Sequence, residues 1–317
     1  YTTANFDVVS NPEFLAEGTA VNDGRKPSRV VVGSNSTRAI ETLRELYSPL
    51  LLSHPEHFFP MSPESAELTK YAANIYLATQ VGITNILANI AEAVGADWNE
   101  VMPAIRADPR IGKFIYPGLG YGGSCFRKDV AQIFSTLKEL RLASRDTKVI
   151  KALLEQNDYQ KLHLNRRLTA TYGEDLTGST FGVWGLTFKP GTSDTRDAAS
   201  LDVIPDLLSR GARVIAHDPT GSKEFIQDMQ KLGVEISNIR FVQDKYQATQ
   251  DSDGLFLLTE WEEYRTPDFE IIKAAMNRPL ILDGKGVLNL SAMLEHGFEH
   301  YSVGRPSSKL TATSQTL

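Results

Sequence analysis

From Glu64 to Val94 the chain runs for about thirty residues, rich in Ala, Ile and Leu, without a proline. Ser62-Pro63-Glu64 ahead of this run is a helix-start signal, and Gly95 behind it is a stop signal. Globular helices usually last roughly three to four turns. One of this length predicts a spine that links domains or subunits, and everything else has to be arranged around it.

On the N-terminal side of the spine, residues 6–9 (F-D-V-V) and 29–33 (R-V-V-V-G) are short β-branched runs that read as strands, and 38–52 reads as a helix. On its C-terminal side, helices are predicted at 97–106, 128–140 and 145–172. From Ser179 onward strand and helix alternate: T-F-G-V-W-G-L, a helix at 199–210, the strand A-R-V-I-A, then strands at 239–242, 254–258 and 279–283. That spacing predicts a parallel, doubly wound sheet. The fold class is therefore α/β, with a long central helix and a helical region followed by a Rossmann-like doubly wound parallel sheet domain. The Ser/Thr-rich residues 307–317 are predicted to be disordered.

At 317 residues the chain fits about two domains. Its net charge of -6 lacks the basic excess of a nucleic-acid binder. A single cysteine excludes an intrachain disulfide and fits a reducing, cytoplasmic setting. There is no apolar run of about 18 residues, so no membrane span is predicted.

That cysteine, Cys125, lies in G-L-G-Y-G-G-S-C-F-R-K-D, Gly118 to Asp129. Gly118, Gly120, Gly122 and Gly123 let backbone approach a ligand, and Arg127, Lys128 and Asp129 follow. Thiolate is the reactive form of cysteine, and neighbouring cations favour it. The set describes a covalent catalytic site; the other reading is a small buried core residue. A weaker signal is Gly182-V-W-Gly185, placed where a phosphate-binding turn belongs but short of the full dinucleotide pattern, with Asp218 beyond the usual distance for a ribose acid. Lys189 and Asp194-Thr195-Arg196 follow at a strand's carboxyl end, where ligands of open α/β sheets bind. This unit reads as nucleotide-binding, and NAD binding by Gly182 to Asp218 stays open. His54 and His57 have a spacing that metals use, but no further ligand is evident nearby, so no metal is expected.

Four blocks, N-P-E-F-L-A-E-G-T-A (Asn11 to Ala20), A-E-L-T-K-Y-A-A-N (Ala66 to Asn74), G-Y-G-G-S-C-F-R-K-D and F-K-P-G-T-S-D-T-R (Phe188 to Arg196), occur in this order. Together they closely resemble the UDP-glucose 6-dehydrogenase family of nucleotide-sugar dehydrogenases, from about residue 5 to about residue 305. The resemblance implies three domains ahead of the 307–317 tail: 1–60 as a remnant of an N-terminal NAD-binding domain, 61–172 as a central helical dimerisation domain with the cysteine loop, and 173–306 as a Rossmann-like UDP-sugar domain. It implies oxidation of a sugar C6 alcohol to the acid with two NAD, through a thiohemiacetal and a thioester on Cys125. Lys70, or a water held by Asp129, would be the first base. Lys70 and Asn74, four apart on the spine, would meet the oxyanion, and Glu13 or Asp129 would serve in hydrolysis.

The resemblance further implies that Glu13, Phe14, Leu15, Ala16 and Glu17 line the sugar. Tyr116, Gly118, Gly120, Tyr121 and Gly122 would cover the substrate, and Phe188 and Lys189 would hold the nucleotide sugar. Lys285 stands where the family usually has Arg, which keeps the charge and loses the bidentate fork. Arg110 would reach a neighbouring subunit's substrate, so a homodimer through the central helix is implied. Glu17, Lys128 and Arg196 would contact NAD. The substrate would be UDP-glucose, with GDP-mannose as the alternative. The glycine fingerprint, ribose acid and catalytic Thr of the family's cofactor domain have no counterpart in these residues, which start at Tyr1. A fragment is therefore predicted, or a cofactor half supplied by another chain. By itself such a chain would be a UDP-sugar-binding dimerisation module without redox activity.

Overall fold

The computed structural model describes residues 6–112, 116–141 and 144–306. The predicted tail, 307–317, lies outside them. The chain divides into two compact units, Tyr1–Tyr76 and Leu77–Leu317.

The first unit contains α1 (Ala20–Arg25), β1 (Val30–Gly33), α2 (Thr37–Tyr47) and β2 (Phe58–Met61), and the start of α3 (Pro63–Val94). β1 and β2 pair in parallel. Their core is small: Val30, Val32, Leu51 and Phe58. The strand expected at 6–9 is absent. Only Ser10 reaches a partner, an isolated bridge to Gly33, so the β-branched run has no ladder to join.

α3 begins as its sequence dictates. The Ser62 hydroxyl accepts from the Ser65 amide at 3.2 Å, and Pro63 occupies the first helical position, where a missing N–H costs nothing. It ends at Gly95, whose φ of +78° permits the left-handed turn, with the Ala96 amide reaching back to the Ala91 carbonyl at 2.9 Å.

The second unit continues with α4 (Trp98–Arg106), α5 (Phe126–Glu139), α6 (Ser144–Lys161) and α7 (His163–Tyr172). The single helix expected over 145–172 is thus two helices, broken at Leu162, which adopts φ -92° and ψ 16°. Then come β3 (Thr180–Trp184), α8 (Ser200–Ser209), β4 (Arg213–His217), α9 (Ser222–Lys231), β5 (Ile239–Phe241), β6 (Gly254–Leu257), α10 (Phe269–Ala275), β7 (Leu280–Asp283), α11 (Leu290–Glu295) and β8 (Glu299–Ser302). The strands form one sheet in the order β5-β4-β3-β6-β7-β8, with every pair parallel.

Such a sheet is buried on both faces, and its residues alternate between two cores. Phe181, Val183, Phe256 and Leu282 pack on one side with Val203 and Leu207 of α8, Leu164 and Leu168 of α7, and Ala88 and Ala91 of α3. Trp184, Leu255, Leu257 and Ile281 pack on the other with Phe269 and Ile272 of α10 and Met293 of α11. Sequence neighbours β3 and β4 go one way from the centre and β6 to β8 the other. The order reverses between β3 and β6, and ligands of open α/β sheets enter at that switch point.

Candidate active site

Cys125 occupies the N-cap position of α5 and is half-buried. Negative charge developing beside its sulfur would meet the positive end of a helix. Asp129 follows one turn later, on the same face, and is buried; its amide donates to the Cys125 carbonyl at 2.9 Å. Lys128 is exposed, 3.8 Å from the Asp129 carboxylate.

The loop before Cys125 lies against the carboxyl ends of β3 and β7. The Gly123 amide donates to the Arg196 carbonyl at 2.8 Å. Gly123 has φ +82°, and an added Cβ would stand 2.9 Å from the Phe188 ring. At Gly122 a Cβ would stand 2.5 Å from the Asp197 carbonyl oxygen. These two positions require glycine, one for conformation and contact, the other for close backbone approach. Nearer the loop's start, Gly118 faces the Gly284 carbonyl and the Lys285 side chain.

The other side of the loop is gripped by residues that the motif reading missed. Asn85 of α3 accepts from the Gly118 amide at 2.8 Å, and Gln160 of α6 donates to the Gly118 carbonyl at 2.9 Å. Asn157 accepts from the Tyr121 amide at 2.8 Å and donates to the Tyr121 carbonyl at 3.0 Å. Arg127 pairs with Asp158 and lies 3.7 Å from Asp197. Nothing local marks these α6 residues, since N-D-Y-Q-K is ordinary helix sequence. Burial first, then the charge of Asp197, pushes the Tyr121 phenol up to about 12.

Across the switch point, Phe188 and Lys189 follow β3, with the Lys189 ammonium 5.4 Å from the Phe188 ring centroid. Lys285, in the turn after β7, pairs with Glu260 at 3.0 Å. Burial pushes the Glu260 carboxyl up, but Lys285 outweighs it and the net direction is down. Arg196 is exposed and held flat by two-pronged contacts to Asp194, at 2.9 and 2.7 Å.

Asp218, at the end of β4 where a ribose acid would stand, accepts from the amides of Leu186, Thr187, Thr220 and Gly221 and from the Trp261 indole. It builds the turn. Gly182 lies under the Ala248 carbonyl and Gly185 against Thr259, so these glycines serve packing.

Tyr116 is exposed and accepts from Arg106 at 2.8 Å. Arg110 is exposed and bound to Asp108, which raises its already high pKa.

The first unit assembles Glu13, Phe14 and Lys70. The Lys70 ammonium donates to the Glu13 carboxylate at 2.7 Å and to its carbonyl at 2.5 Å. The Phe14 ring lies beneath the Arg29 guanidinium at 3.8 Å, a contact that no motif announced. The Leu15 amide donates to Glu13 and the Ala16 amide to Asp23. Glu17 is partly exposed, and Asn74, one turn beyond Lys70, is buried. Glu13, Phe14, Leu15 and Arg29 line a cleft of about 400 Å³. Elsewhere in this unit His54, Glu56 and His57 bring one ligand atom each within 4.8 Å of one another. Glu56, within H-P-E-H itself, is the third donor that sequence reading overlooked.

A doubly wound parallel sheet with a thiol-bearing loop at its switch point is an architecture of nucleotide-binding α/β proteins. The chain belongs to the UDP-glucose/GDP-mannose dehydrogenase family. Residues 1–51 match that family's NAD binding domain, 64–159 its central domain and 182–290 its UDP binding domain. A UDP-glucose 6-dehydrogenase of Pseudomonas aeruginosa is 40% identical over 94% of this chain and 65% of its own length. One from Rhizobium meliloti is 38% identical over 96% of this chain and 68% of its own. The solved UDP-glucose dehydrogenase of Pyrobaculum islandicum superposes with a TM-score of 0.82 at 31% identity, covering 96% of this chain and 65% of that one. The chain thus spans about two thirds of the length of these relatives. No helix among the described residues is long and apolar enough to cross a membrane.

Proposed function

We propose that this chain supplies the nucleophilic thiol and the nucleotide-sugar subsite of a UDP-glucose 6-dehydrogenase. The observation that carries the reading is the seat of Cys125 at the N-terminus of α5, with its glycine loop bonded to Arg196 beside Phe188 and Lys189 at the switch point. UDP-glucose is preferred to GDP-mannose because the relatives at 38% and 40% identity are UDP-glucose 6-dehydrogenases.

Lys70, or a water held by Asp129, takes the proton of the C6 hydroxyl. NAD, when bound, would supply the hydride acceptor for both oxidations at C6. The exposed guanidinium of Arg196 would contact NAD, with Lys128 as a further cationic contact and Glu17 near the nicotinamide. Cys125 adds to the aldehyde carbon, and Lys70 and Asn74 meet the oxyanion of the thiohemiacetal. Loss of the second hydride leaves a thioester on the sulfur. Water, activated by Glu13 or Asp129, cleaves it and returns the thiol. Phe188, Lys189 and Lys285 hold the nucleotide sugar, with Glu13 to Glu17 and Tyr116 to Gly122 enclosing it and Arg110 reaching a partner subunit's substrate. The domains at 1–60, 61–172 and 173–306 divide this work.

Calorimetric titration of the chain with UDP-glucose and, separately, with NAD tests the reading. UDP-glucose is expected to bind, and Lys189→Ala to weaken it about tenfold or more, as loss of a charged contact does. Binding of NAD at Gly182 to Asp218 without UDP-glucose binding would overturn the subsite assignment. In a complete enzyme, Cys125→Ala is expected to abolish acid formation, and full turnover would refute the covalent route.

A further inference from the structure

We propose that Lys161 and Asp197 are positioning residues for the Cys125 loop: a buried ion pair that holds the Arg196–Asp197 backbone in the conformation against which the loop is built. The inference deepens the reading above and rests on it, since a positioned loop has a purpose only if Cys125 reacts.

Lys161 ends α6 with its side chain only 2% exposed, and its ammonium lies 2.5 Å from Asp197 and 3.2 Å from Asp202. A buried ammonium is tolerated only when paired. Asp197 has φ +55°, one of three described non-glycine residues with positive φ. The left-handed region is uphill for a residue with a Cβ, less so for Asp, and persists when surrounding contacts over-determine it. Lys161 supplies such a contact from one side, and Arg127, two residues after Cys125, adds a second at 3.7 Å.

The consequence falls on the loop. The Arg196 carbonyl accepts from the Gly123 amide, and the Asp197 carbonyl lies where a side chain on Gly122 would be. If Asp197 relaxed to negative φ, both carbonyls would turn. The loop would lose its only backbone hydrogen bond to this segment among the described residues, two positions before the thiol. Asn157 and Gln160, on the same turn of α6 as Lys161, grip the loop's opposite side. Lys161 therefore fastens the platform to the helix that also fastens the loop.

The test uses this chain and its single cysteine. Alkylation of Cys125 by iodoacetamide under native conditions, followed by mass spectrometry, reports how often the loop opens, and circular dichroism confirms folding. Asp197→Asn keeps the side chain's tolerance for left-handed backbone and removes only the charge. Lys161→Met removes the partner. Each folded variant is expected to alkylate about fivefold faster or more, as a loosened local structure does. The double variant should fall short of the product of the two single effects, because both remove the shared Lys161–Asp197 pair. Lys161→Arg should restore a rate near the parent's. Rates within about twofold of the parent in folded single variants would overturn the proposal, whatever their melting temperatures. So would single-variant effects that multiply in the double. If Lys161→Met does not fold, Asp197→Asn decides alone. Turnover of the complete Cys125→Ala enzyme separates the two readings. Activity there defeats the nucleophile and leaves the alkylation result standing, whereas unchanged alkylation with an inactive Cys125→Ala enzyme defeats the clamp alone.

Discussion

Gly123 meets two constraints at once, a positive φ and an aromatic ring where its Cβ would be. Gly123→Ala is expected to cost about 1–3 kcal/mol, measured by urea denaturation, and to weaken UDP-glucose binding in calorimetry. A variant as stable as the parent would mean that the Phe188 ring moves freely. His300 gives a prediction in pH. It is fully buried, and both ring nitrogens lack a hydrogen-bond partner among the described residues. Burial outweighs the pull of Asp283 and depresses its pKa to about 4. The unfolded chain therefore takes up a proton near the ordinary histidine value, whereas the folded one does so only near 4. Stability is whole above the ordinary value, declines as pH falls through the interval and levels off below it. Denaturation midpoints across that interval should fall less steeply in His300→Leu. At this scale the sequence was legible where backbone geometry demands a rare residue type, as at Gly122 and Gly123. Asp218 was ambiguous because an acid after a strand can bind ribose or build a turn, and it is hydrogen bonds from five residues that show it holding the turn.

Helix α3 buries Ala88 and Ala91 against the sheet, yet leaves Ile83, Ile86, Leu87, Ile90 and Val94 exposed at helical spacing. Stripes of this kind often belong to association surfaces, and we propose this one as the face of a homodimer. Light scattering should find a dimer of the chain, and Ile90→Asp should shift it to monomer. A monomeric parent would refute the assignment. Inside the same helix, Glu92 is buried with His163, Arg167 and the Gly304 amide, and these partners outweigh burial to lower its pKa. Glu92→Gln should cost about 3 kcal/mol, as breaking a buried pair does, with the loss shrinking at acid pH as the carboxylate protonates. The long helix was readable because its start, its stop and its lack of proline all agree. β2 was not, because Pro60 sits inside F-F-P-M and argues against a strand unless it lies at an edge. The break at Leu162 was equally silent, since no Gly or Pro stands there. The α6 grip on the cysteine loop depends on partners 36 to 42 residues away, a relation that no local pattern encodes.

The two units differ in what holds them. Among the described residues, the first has two paired strands around four buried apolar residues, whereas the second has six strands between two large cores. Two-stranded sheets are marginal by themselves. Hydrogen exchange should therefore find β1 and β2 open at lower free energy than β3, β6 and β7. Equal protection throughout would mean that the units unfold as one.

The three tryptophans are not equivalent. Trp98 and Trp184 are buried in the cores, whereas Trp261 stands partly exposed beyond β6, its indole on Asp218 and its neighbour Glu260 paired with Lys285. The molecule thus carries a natural fluorophore at the rim of the crevice proposed for the nucleotide sugar. Occupancy there should change the emission of one indole out of three, and Trp261→Phe should silence that optical signal while leaving the fold's own emission in place.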